Sequence, residues 1–253
     1  MNVNTYDHYG YALIALVGTA MAVATIVWLI RHSPWKSKLR ELRGVAPPFI
    51  NILGVLFGLT LAFIANDTWS AHDKATGAVY READALRSLL VLSGKLDEPL
   101  RSTIRATLGR YAQASSEEWD SLAQRRTSPQ ADQQANALLL AMIDRRIEDQ
   151  LGRTVHVLML TKVSDIRHDR DLRIALSQMH VNPLKWLGMA FLGLLTLLSI
   201  AMVHIENPRA AYLSIALFAL SAAPTAAIVL VQGNPFLQPS FVSPAPIIAA
   251  LSP

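Results

Sequence analysis

The chain has no cysteine, few aromatic residues, and four long stretches without a single charged residue. The missing cysteine excludes a disulfide framework, thiol catalysis and thiolate metal sites. Of the 253 residues, 7% are aromatic and 17% are charged, the latter below the quarter usual in soluble domains. The shortage of charge is concentrated. No Asp, Glu, Lys or Arg occurs from Tyr11 to Ile30, from Gly44 to Asn66, from Trp186 to Ile205, or anywhere after Arg209. About 20 apolar residues span a bilayer core, so this pattern excludes a water-soluble globular domain. Also missing are a Gly-rich phosphate loop, a His-Glu-x-x-His pair and a Gly-x-Ser-x-Gly elbow. The chain therefore reads as a non-enzyme, with no cofactor and no metal site implied.

What is present is an all-α membrane protein with four transmembrane helices and a soluble helical section between the second and third. The expected organisation is helices 1 and 2 over 10–70 with a basic loop at 31–46, the soluble section at 71–183, helices 3 and 4 over 184–231, and an uncharged Pro-rich tail at 232–253. The soluble section holds 16 of the 23 Lys and Arg beside 15 acidic residues, so the net charge of +4 is no sign of nucleic-acid binding. The leader Met1–Gly10 has no Lys or Arg and contains Asp7, unlike the positive start of a secretory signal, so the first span reads as retained.

The second span does not stop at the membrane surface. From Asn66 to Ser93 there is no proline, and Ala75, Val79, Ala83, Leu86 and Leu90 recur at helical spacing. One long helix is expected, embedded at its start and soluble at its end. Two further helical stretches carry Leu100, Ile104, Leu108, Tyr111 and Trp119, then Leu138, Met142, Ile143, Ile147 and Leu151. A last polar helix around 164–181 carries Arg167, Arg170 and Arg173. His168 lies among Asp165, Asp169 and Asp171, and this mixture reads as a solvated face with i,i+4 pairs rather than a metal site.

Two stripes stand out on the second span. Gly54, Gly58 and Ala62 form a small-residue row that permits close helix packing. Val55, Leu59 and Phe63 form an apolar row that faces lipid or a neighbouring helix, or lines a narrow constriction if several copies meet around an axis. Asn66 and Asp67 follow as a polar mouth, and a charge so near a span is expected to face water or protein.

The run Leu53-Gly54, Leu61-Ala62-Phe63, Asn66-Asp67-Thr68-Trp69-Ser70, Lys74-Ala75 and Glu82-Ala83-Asp84-Ala85-Leu86 resembles the bestrophin-like domain family of bacterial membrane proteins. More distantly it is similar to bestrophin ion channels. The tail, Gly233-Asn234-Pro235-Phe236 followed by Ser243-Pro244-Ala245-Pro246, resembles the family's closing segment. The resemblance implies a pentameric ion channel in which Val55, Leu59 and Phe63 form an apolar neck. It names no permeant ion. Leu237-Gln238-Pro239-Ser240 has no carboxylate, which departs from the acidic calcium clasp of the animal channels.

Two expectations conflict over orientation. Arg31, Lys36, Lys38, Arg40 and Arg43, opposed only by Glu41, place the first short loop in the cytoplasm, and Arg209 does the same for the second. The N-terminus and the 71–183 section then lie in the periplasm of a bacterial inner membrane. The family resemblance implies the opposite side for the helical section. A competing functional reading is a non-conducting membrane protein whose helical section senses envelope conditions or binds a protein partner.

Overall fold

The structure is a computed structural model that describes residues 6–32, 46–179, 183–238 and 241–251. The basic loop residues Lys36, Lys38, Arg40, Glu41 and Arg43, together with Pro239 and Ser240, lie outside the described residues. Among those described, the chain is helical with no strand: α1 Tyr6–His32, α2 Ala46–Ser93, α3 Leu100–Glu117, α4 Trp119–Ala123, α5 Pro129–Met142, α6 Arg145–Leu151, α7 Arg153–Gln178, α8 Pro183–Val203, α9 Pro208–Val231 and α10 Ala245–Ala249. They form two compact units, one of residues 1–69 and 180–233, the other of 70–179 and 234–253.

The first unit holds the apolar helices. Three are long and apolar enough to cross a membrane by length and composition: the Pro48–Ser93 helix, Leu184–Val203 and Pro208–Val231. The fourth expected span is shorter. The apolar stretch of α1, Leu13–Trp28, covers about 24 Å at 1.5 Å per residue, against a hydrocarbon core of about 30 Å. Ile26 of α1 packs with Leu197, Ile200 and Ala201 of α8 and Ala211 and Ile215 of α9. A second cluster joins Ile64 and Ala65 of α2 to Met189 of α8 and to Ala226 and Val229 of α9. At Gly193 a Cβ would sit 3.2 Å from the Phe57 ring, so the missing side chain is what lets α2 and α8 close on each other there. Asn207 caps α9 by accepting a hydrogen bond from Ala210 N at 3.3 Å, and Pro208 at its first turn has no N–H to leave unpaired.

The second unit is a helical bundle around the C-terminal half of α2. Ala75, Val79, Ala83, Leu86 and Leu89 of α2 pack with Leu100, Ile104, Leu108 and Tyr111 of α3, Leu138 and Met142 of α5, and Met159, Val163 and Ile166 of α7. Phe236, Val242, Ile247 and Ala250 of the closing segment complete this core. The expected continuous helix through Leu151 is interrupted: Asp144 caps a new helix by accepting from Arg146 N at 2.9 Å. Gly152, at φ +80°, then separates α6 from α7, a conformation that favours a residue without a Cβ. As a result α7 begins at Arg153, well before the expected 164.

Candidate functional site

The two faces of α2 in the first unit have opposite fates. At about 100° per residue, Val55, Leu59, Ala62, Phe63 and Asn66 share one side of the helix and Phe57, Leu61, Ile64, Ala65 and Thr68 the other. The second set is buried or packed against α8 and α9, with the Phe57 ring 5.2 Å from that of Phe218. The first set is unpartnered: Val55 is 68% exposed, Leu59 49% and Phe63 62%. Three large apolar side chains at i, i+4 and i+8 are thus held outward by a helix whose back is anchored.

The small-residue row lies along the seam between these faces. A Cβ added at Gly54 or Gly58 would meet nothing within 4 Å, and Ala62 is exposed, so this row packs against no described part of its own chain. The two mouth residues separate. Asn66 is exposed on the same side as Val55 and Leu59, whereas Asp67, about 100° round the helix, pairs with Lys185 of α8 at 2.5 Å. Two residues further on, Trp69 Nε1 donates to Gln232 Oε1 at 3.1 Å.

The second unit contains a polar constellation that sequence reasoning missed. Asp169, Arg170 and Arg173 do not form a solvated face: all three are buried, while Arg167, His168 and Asp171 stay exposed. Arg173 is fully enclosed and donates from Nε to Glu82 Oε2 at 2.8 Å and from Nη2 to Oε1 at 3.1 Å. Glu82 Oε1 also accepts from Tyr111 Oη and Ser115 Oγ, each at 2.8 Å. Beside this, Arg170 donates to both oxygens of buried Glu118, at 3.1 and 2.8 Å, and to Asp132 at 3.2 Å. Asp169 accepts from Arg81 Nε and Nη2 at 2.9 and 2.7 Å.

Charges taken out of water are tolerable only when paired and hydrogen-bonded, and here each buried carboxylate meets a guanidinium in good geometry. Burial, then the charge of Glu82, pushes the Tyr111 hydroxyl well above its usual range, so it stays protonated as a donor. At Arg170, burial opposes the charge, but the hydrogen bonds and charge of Glu118 outweigh it and hold the guanidinium protonated.

The signal for this constellation was in the spacing. Glu82 is three residues after Val79 and four before Leu86, a core position; Arg173 likewise extends the row Val163, Ile166 of α7. No described group of three His, Asp or Glu side chains is placed to hold a metal ion.

The same architecture occurs among solved proteins. A variant of a bacterial bestrophin homologue from Klebsiella pneumoniae superposes with a TM-score of 0.68 at 13% identity, covering 97% of this chain and 94% of that one. A second variant of that homologue gives 0.69 at 13% identity, covering 94% and 95%. A structure described only as a membrane protein gives 0.70 at 15% identity, covering 93% and 95%. At such identities the likeness is one of fold. Among curated proteins no match is found. The sequence itself matches the model of the Bestrophin-like domain over residues 17–247, most of its length, and the chain belongs to that family.

Proposed function

We propose that the chain assembles as a ring of identical copies in the bacterial inner membrane and conducts ions through a pore lined by α2. In this reading four helices cross the bilayer, α1 included, and Val55, Leu59 and Phe63 form the neck. The observation that carries it is the row itself: three large apolar side chains held outward at helical spacing by a helix whose opposite face is packed. Family membership supports it, since the kinship to bestrophin channels implies a pentamer with its neck on the second span. An apolar constriction closes by dewetting and opens by slight widening, without any charged gate. Asn66, on the same side, offers hydrogen bonds to an ion shedding water at the mouth. Asp67 is tied to Lys185, so that pair adds no net charge there.

The test is single-channel recording of purified protein in a planar bilayer, with Phe63→Ala beside the wild type. The smaller side chain widens the neck, so larger unitary currents are expected from particles of unchanged mass. Unaltered currents would remove Phe63 from the neck. A monomeric particle would overturn the pore, because one copy cannot enclose a conduit with a single lining helix. Silence from well-folded oligomers of both forms would favour a partner-binding role for the helical section.

A further inference from the structure

The closing segment after α9 is tied into the second unit at one side chain above all, Trp119 of α4. Val242 O accepts the indole N–H at 2.6 Å, and the Phe236 ring meets the indole edge-on, centroids 5.6 Å apart at 88°. Asn234 holds the start of the segment: its Nδ2 donates to Leu122 O and Ala123 O at 3.1 and 3.2 Å, and its Oδ1 accepts from Phe236 N. Val242 N donates to Pro235 O at 2.8 Å and closes the loop. On the face of the same indole lies the guanidinium of Arg173, Cζ 4.6 Å from the ring. Arg173 in turn holds Glu82 of α2 with two hydrogen bonds.

One atom makes this chain of contacts more than packing. Arg173 Nη1 is buried without a hydrogen-bond partner among the described residues, although Nε and Nη2 are fully engaged. A buried, incompletely bonded guanidinium is costly, and the aromatic face beside it is the compensation on offer. Arg173 therefore depends on where Trp119 sits, and Trp119 is set by Phe236 and Val242. Glu82, fully buried, is paired among the described residues with Arg173 alone. We infer that the closing segment, at its described residues 234–238 and 241–250, is a brace that acts through Trp119 and Arg173 to hold α2 at Glu82, so that loosening the segment loosens the helix. Trp119 and Arg173 are positioning residues in this device. Where α2 also lines a pore, as proposed above, the brace sets the pore's open probability. That functional arm rests on the channel reading; the mechanical arm does not.

Hydrogen exchange of the full chain in detergent separates the two. Phe236→Ala removes the edge-on support of Trp119 and should raise exchange about tenfold over residues 79–86 of α2, as well as in the segment itself, as the indole shifts from under Arg173. Trp119→Leu should do the same, and Phe236→Ala added to it should change α2 no further, the signature of one shared link. Trp119→Phe keeps a ring face for Arg173 but loses the bond to Val242 O, so it should raise exchange over 79–86 clearly less than Trp119→Leu does, which also covers the case that the leucine variant does not fold. Ile147→Ala, buried in α6 within the same core but not among the partners of Trp119 or Arg173, controls for general loosening. Opening of the segment with α2 unchanged, additive effects of Phe236→Ala and Trp119→Leu, or an equal response to Ile147→Ala would each overturn the brace. Absent currents in every form would count against the channel and leave the exchange result to decide the link.

Discussion

Tyr111 shows how a single buried hydroxyl ties stability to pH. Its proton is donated to Glu82, and burial together with that carboxylate's charge raises its pKa well above the ordinary value near 10. In the unfolded chain the phenol titrates normally. Below pH 10 both states keep the proton and the contribution to stability is fully present. Above it, the unfolded state releases a proton that the folded state retains, so stability falls by up to about 1.4 kcal/mol per pH unit from this group. Phenylalanine cannot ionise. Tyr111→Phe is therefore less stable than the wild type at pH 8, having lost the hydrogen bond, but the difference in melting temperature should narrow from pH 9.5 to 11. Melting curves of both proteins in one detergent check this; a gap constant across that range would mean that Tyr111 titrates alike in both states.

At the scale of the element, α2 combines two materials in 48 residues, an apolar half with one outward row and a more polar half wrapped by other helices. Its length was legible because no proline interrupts it and one stripe runs unbroken from Ala75 to Leu90. The break between α5 and α6 was not legible, since Leu138, Met142, Ile147 and Leu151 continue a helical rhythm across it. The cap at Asp144 and the positive φ at Gly152 override that rhythm. The buried ion pairs are hidden for a different reason: charge ordinarily marks the surface, yet Glu82 and Arg173 stand at core positions of their stripes. The Gly54, Gly58 and Ala62 row carries its own prediction. Because a Cβ at Gly58 would meet nothing within 4 Å among the described residues, Gly58→Leu should leave the fold intact and act between copies. Helical signal and melting temperature should stay near wild type while the detergent particle loses mass or becomes polydisperse. An unchanged particle would put this row against lipid.

For the whole molecule, the charge of the short loops bears on which side of the membrane receives the 71–183 section. The loop with Arg31, Lys36, Lys38, Arg40 and Arg43 is short and strongly positive, and Arg209 marks the other short loop. Short loops decide orientation, while a long section such as 71–183 crosses largely regardless of its charge. That section is nearly neutral in any case, so it offers no pull of its own. On that bias it is expected outside the cytoplasm, against what kinship to bestrophin channels implies. A chain free of cysteine allows a direct measurement. Ser37→Cys samples the basic loop, and Gln113→Cys samples an exposed position of α3. In intact cells made permeable only at the outer membrane, a membrane-impermeant thiol reagent should label Gln113→Cys and spare Ser37→Cys until the inner membrane is disrupted. The reverse pattern would mean that fold kinship outweighs the basic loop, and it would place the brace at Trp119 and Arg173 within reach of cytoplasmic rather than periplasmic factors.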